Sequence, residues 1–226
     1  MPEKSTRRTT KKQIHAALRS EIILGHHKPG DRLAVDDLKA RFGTSVTPVR
    51  DALQMLGQEG LITIKPRSGY FVTRITLKEL RDMLELREIL EVAAVERAAE
   101  TITDKQLAAL RNVHAGYTGD DDRAYTRYTD ENRQFHYLLA QASGNQELAL
   151  ALRRLHDRLA RFMVIRQAGK SLEKIHGALI DRLAAKDIDG ARQAILEEVH
   201  NSRSAILGRI MREEAAHWHV GMGNEG

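Results

Sequence analysis

The chain contains no cysteine. That absence excludes disulfide scaffolds and thiolate metal sites and fits a reducing compartment. Any metal would have to be held by His, carboxylate, amide or water ligands. Proline also stops early: none of the four lies beyond Pro66, so the remaining two thirds of the chain carries no obligatory helix breaker. Long apolar runs are missing as well. Nothing approaches the roughly 20 apolar residues of a membrane span, and the opening "MPEKSTRRTTKK" is basic and polar with no apolar stretch behind it, so a soluble, cytoplasmic protein is expected. The chain has no HExxH pair, no nucleophile and base at a recognisable spacing, and no glycine-rich phosphate loop, which argues against an enzyme.

What is present is distributed unevenly. The 226 residues suffice for two domains, and the net charge of +5 is concentrated at one end. Residues 1–75 hold 14 Lys and Arg against 7 Asp and Glu, whereas the remainder holds 22 against 24. A basic head on a near-neutral body points to a polyanion-binding module joined to something else.

In the head, "KQIHAALRSEIILG" repeats apolar residues at a helical period and closes on Gly25 as a C-cap. A short second helix runs through Val35, Leu38 and Phe42 to Gly43, and a third through Val49, Leu53 and Leu56. Two short helices around a Gly-containing turn form a helix-turn-helix. Thr47 is expected to cap the third helix, with Pro48 in its first turn. "LITIKPRSGYFVTRI" then reads as two strands joined by a Pro-Arg-Ser-Gly turn, a wing. This predicts a winged helix-turn-helix over residues 8–75. Ser45, Val46, Thr47 and Arg50 would be presented to the major groove, and Lys65, Arg67 and Ser68 to phosphates or the minor groove. Arg50 is the candidate for base readout, because a guanidinium can bond guanine O6 and N7 together. The alternative is a protein-docking module with solvated charges.

At these residues the chain resembles the DNA-binding domain of GntR-family bacterial transcription regulators. "PGDRLAVDDLKARFGTSVTPVRDALQMLGQEGLITIKPRSGYFV" carries the resemblance, with "TPVRDAL" and "GYFV" its most specific pieces. It implies that Ser45, Thr47, Arg50 and the wing residues contact a double-stranded DNA operator. Asp36 stands where relatives often carry a basic side chain, so no phosphate contact is expected there.

From Thr76 onward the pattern is helical almost throughout, giving about six helices near 76–100, 104–114, 121–142, 146–167, 171–186 and 188–216, followed by a frayed tail over 217–226 that includes His217 and His219. The fold class is therefore mainly α: a winged helix-turn-helix plus an all-helical bundle. "GDDDR" reads as a surface turn and helix start; it lacks the ligand spacing of a calcium loop. Several apolar stripes contain polar residues. Asn132 and His136, four apart, fall among Tyr128, Phe135, Leu139 and Ala142; His176 falls among Leu179, Ile180 and Leu183; Glu198 among Ala191, Ile195, Val199 and Ile206. His200 is rotated to the opposite face. Arg87 and Glu91 form an i,i+4 pair inside the first long stripe. Unpaired polar groups in a core cost several kcal/mol each, so this many on converging faces implies a common pocket. One reading makes Asn132, His136, His176 and Glu198 ligands of a divalent cation, with Arg87 beside it holding the carboxylate of an effector. The other makes the histidines satisfied core groups and Arg87–Glu91 a structural ion pair.

This second region resembles the all-helical effector domain of the FadR branch of the GntR family, through "LRDMLELREILEVAAVERAA", "NRQFHYLLAQASGN" and "HGALIDRLAAKDIDGARQAI". The resemblance implies a metal such as Zn, Ni or Mn. It matches Asn132, His136 and His176 to three ligand positions and places Glu198 where the last histidine is expected. It further implies a homodimeric regulator, expected to be a repressor, whose operator binding responds to a small molecule, an organic acid by expectation. A small helical metal-dependent hydrolase fused to a nucleic-acid-binding module and a nonspecific architectural DNA-binding protein are the competing classes.

Overall fold

The computed structural model describes residues 10–113, 122–163 and 169–221, with side chains described over 10–113, 127–163 and 174–212. The chain divides into two compact units: one up to Leu80 together with His156–Arg161, the other Arg81–Leu155 and Phe162 onward.

The first unit opens with α1, Lys11–Ile23, started by a capping box in which the Gln13 amide N–H donates to Thr10 Oγ1 and Gln13 Oε1 accepts from the Thr10 N–H. A two-residue strand β1, Arg32–Leu33, precedes α2, Val35–Phe42, and α3, Val46–Gln58. Gly43, at φ 59°, makes the left-handed turn between α2 and α3. The N-cap of α3 is Ser45, which makes no side-chain capping bond. This corrects the expectation for Thr47, which lies inside the first turn, one residue before Pro48. Strands β2, Ile62–Lys65, and β3, Gly69–Val72, pair antiparallel in the register Ile62 with Val72 to Lys65 with Gly69, and Arg67 reverses the chain at φ 61°. β1 adds to the far side of β3, so the wing is a three-stranded sheet in the order β1-β3-β2. Ile14, Leu18, Val49, Leu53, Leu56, Leu61, Ile62 and Val72 form its buried core.

Residues 156–161 complete this unit, although sequence patterning assigned them wholly to the helical region. There Arg161 donates to the Thr73 carbonyl at 2.6 Å, and Arg19, buried, lies 3.1 Å from Glu59 and 3.8 Å from Asp157.

The second unit is built from helices: α4 Leu77–Thr101, α5 Asp104–Asn112, α6 Asp122–Ala142, α7 Gln146–Leu159, α8 Gly169–Ala184 and α9 Ile188–Gly221, with the ends of α4 and α7 shared with the first unit. α4 begins on a Thr76–Glu79 capping box and α5 on a Thr103–Gln106 one. α7 ends at Leu159, short of the expected 167; residues 164–168 and the predicted "GDDDR" turn at 119–121 lie outside the described residues. α9 runs through Gly221, because nothing between Arg212 and Gly221 breaks a helix. His217 and His219 therefore stand on helix, not in a frayed tail, with their side chains outside the description. The core holds Val95, Ala98, Leu107, Leu110, Phe135, Leu139, Leu179, Leu183, Ala191, Ile195 and Val199, drawn from five of these helices.

Candidate functional site

Two surfaces carry chemistry, one in each unit. In the first, Ser45, Thr47 and Arg50 are exposed at the N-terminal end of α3, with Val46 half-buried, and Lys65, Arg67 and Ser68 are exposed at the wing tip. Lys65 Nζ lies 5.1 Å over the Phe71 ring, which holds its charge near the strand ends. Those at the start of α3 are anchored by its apolar face, whose Val49, Leu53 and Leu56 are fully buried. The exposed face is thus fixed in orientation by the same helix periodicity that builds the core.

In the second unit, four helices converge on a buried polar cluster. α4 supplies Arg87 and Glu91, α6 supplies His136, α8 supplies His176 and α9 supplies Glu198, and Asn132 lies one turn before His136 on α6; every one is at least 95% buried. The phase of α9 is set at its start, where Asp187 Oδ1 accepts from the Gly190 N–H at 2.9 Å as an N-cap. From that start Glu198 turns inward while His200 faces out, where its Nε2 meets Glu88 at 3.2 Å. Four of the five residues singled out in the sequence, Arg87, His136, His176 and Glu198, are in contact through the Glu198 carboxylate, while Asn132 is buried on α6 one turn before His136.

The contacts are dense. His136 Nδ1 lies 3.0 Å from Glu91 Oε2, and His136 Nε2 lies 3.0 Å from Glu198 Oε1. His176 Nε2 lies 3.4 Å from Glu198 Oε2. Arg87 donates through Nε to Glu91 Oε1 at 3.3 Å, through one terminal nitrogen to Glu198 Oε1 at 3.4 Å, and through the other to Ser202 Oγ at 3.0 Å. That last nitrogen also meets Met163 Sδ at 3.8 Å. Phe135 stacks on the His176 ring with centroids 3.8 Å apart and planes 5° from parallel, which fixes the imidazole's orientation. Sequence reasoning counted Glu91 among the buried polar groups but gave it no ligand role, and it did not include Ser202, Met163 or Phe135 in the pocket. Glu91 was legible only as the i,i+4 partner of Arg87, and the other three carry no distinguishing spacing.

Electrostatics follow from this arrangement. Burial disfavours the charged form of His136, but the attraction and hydrogen bonding of Glu91 and Glu198 outweigh it and hold its pKa at about 9. His176 is pushed below its ordinary value by burial, against the opposing pull of Glu198. For Glu198, burial acts upward, but the two histidines together hold the carboxyl well below the usual carboxylate range. One donor set here suits a cation. Ligand atoms of His136, His176 and Glu198 lie within 4.8 Å of one another. Asn132 Oδ1 is buried with no hydrogen-bond partner among the described residues, and Glu198 Oε2 makes only its contact to His176. Buried acceptors left over in a polar cluster are what a divalent ion would satisfy.

Known families match both units. The model of bacterial regulatory proteins of the gntR family matches residues 10–72, and that of the FCD domain matches residues 82–201. The chain belongs to the GntR family. This regulator is 27% identical over 212 residues to the HTH-type transcriptional repressor RspR of Escherichia coli, covering 91% of this chain and 92% of the relative. It is 33% identical over 136 residues, 59% of this chain and 64% of the relative, to the Nta operon transcriptional regulator of Aminobacter aminovorans. Among solved structures, McbR/YncC of E. coli superposes with a TM-score of 0.69 at 23% identity, covering 89% of this chain and 99% of that one, which bears out the fold. The regulator is a GntR-type transcription factor with an FCD domain and not a hydrolase, since its curated relatives are named as transcriptional regulators. No helix among the described residues is long and apolar enough to cross a membrane.

Proposed function

We propose that the regulator is a homodimeric, sequence-specific repressor whose hold on a DNA operator is changed by a small organic acid bound in the helical pocket. The observation that carries the effector half is the buried cluster of Arg87, Glu91, Asn132, His136, His176 and Glu198, too polar for a core that needed only packing. The operator half rests on Ser45, Val46, Thr47 and Arg50 at the start of α3 and Lys65, Arg67 and Ser68 at the wing. Arg50 would read a guanine edge and the wing residues would contact backbone or minor groove. Similarity to a named repressor supports the sign of regulation. Paired heads would read a two-fold operator, which is the reason for proposing a dimer.

The residues present fit a divalent cation such as Zn, Ni or Mn. Asn132, His136, His176 and Glu198 would hold it, and the ion would supply a polarising centre on which an acidic effector could be fixed. Effector binding alters operator affinity only if the two are linked through states that bind DNA differently. The test is footprinting on a selected operator with a panel of small carboxylic acids, alongside metal analysis of the purified protein. Arg50→Ala should abolish sequence preference without lowering the melting temperature of the helical unit. His136→Ala combined with His176→Ala should remove both metal and effector response. A protein that carries no divalent ion and is indifferent to chelator would leave the histidines as core groups and overturn the metal reading.

A further inference from the structure

We infer that Arg87 is a positioning residue that presents the Glu198 carboxylate as a one-oxygen donor. It deepens the metal reading above and rests on it.

The geometry shows how each nitrogen of the guanidinium is used. Nε faces Glu91, one terminal nitrogen faces Glu198 Oε1, and the other faces Ser202 Oγ and Met163 Sδ. Arg87 is fully buried. A two-pronged grip on an incoming carboxylate needs a free edge of two nitrogens, and both edges are already committed here. What Arg87 does instead follows from its partners. Glu198 is a carboxylate among buried helices, and an isolated charge there would be costly. Arg87 and His136 meet its Oε1, while among the described residues Oε2 makes only the longer, 3.4 Å contact to His176. The two oxygens are thereby made unequal: Oε1 takes two close contacts from the protein, Oε2 only the longer one to His176. Glu91 extends the same lock to the next ligand, since it bonds both Arg87 Nε and His136 Nδ1 and so directs His136 Nε2 toward Glu198.

The experiment is calorimetric titration of the full chain with Zn, Ni or Mn alone, after chelation, on four proteins: wild type, Arg87→Lys, Arg87→Met, and Arg87→Met with Glu198→His. Arg87→Met should weaken metal binding on the order of 10- to 100-fold, as losses of outer-shell partners do. Arg87→Lys, which keeps the charge but not the fork, should fall between. The double variant should return to within a few-fold of wild type, because a neutral imidazole needs no guanidinium to hold it. Wild-type affinity in Arg87→Met, or a double variant no better than Arg87→Met, would overturn the assignment. If Arg87→Met does not fold by circular dichroism, the comparison of Arg87→Lys with wild type decides, and equal affinities overturn it. Failure of the wild type itself to bind any of the three metals would overturn the metal reading, and that result appears before any variant is made.

Discussion

His136 stands between two buried carboxylates, and its proton decides how the pocket's charges balance. Its folded pKa of about 9 lies above the 6.5 of a free histidine. The stabilisation it brings is therefore fully present below pH 6.5 and is lost as pH rises through 9, a swing of roughly 3 kcal/mol. Glu198 works the opposite way: its depressed value contributes stability above the ordinary carboxylate range, which is lost only in strong acid. The melting temperature of metal-free protein should hence decline from pH 6.5 to beyond 9, and His136→Gln should flatten that decline. Equal slopes in the two proteins would show that His136 is not charged in the folded state. Bound metal should flatten the profile too, because ligation requires the deprotonated ring.

At the scale of elements, the turn between α2 and α3 depends on a single backbone conformation. Gly43 sits at φ 59°, and a Cβ there would meet nothing within 4 Å. Gly43→Ala should accordingly lower stability by about 1–2 kcal/mol through the left-handed backbone alone, read as a shift in the urea midpoint at constant slope. The helices were legible in the sequence because each buries an apolar stripe at the helical period, and the buried polar cluster was legible because Arg87, His136, His176 and Glu198 interrupted those stripes. Other features left no such trace. β1 is two residues long, and Arg32–Leu33 has too few positions to show alternation; its pairing of Arg32 with Phe71 and Leu33 with Tyr70 defines it as a strand. The end of α7 at Leu159 is followed by Ala160, Arg161, Phe162 and Met163, none of them a helix breaker, so nothing local in the sequence signals it. Thr47 and Ser45 are both competent caps by chemistry, and only the backbone distinguishes them.

Across the whole molecule the charge asymmetry has a thermodynamic consequence. The head carries the positive excess, so operator affinity should fall steeply with salt, with the logarithm of the association constant linear in the logarithm of salt concentration. Lys65→Ala and Arg67→Ala should each reduce that slope by about 1 if each contacts one phosphate, while Arg50→Ala should change sequence preference far more than the slope. Fluorescence anisotropy over a salt series measures both quantities, and an unchanged slope would remove the wing from the interface. The first unit also has a seam that the linear order of the chain conceals. Arg161, far along the sequence, donates to Thr73, and Asp157 reaches buried Arg19. A gene fragment encoding only the first 75 residues would thus leave Arg19 with one acidic partner fewer and the Thr73 carbonyl without its donor. Chimaeras that exchange heads between relatives should keep their stability only when residues 156–161 are exchanged along with them.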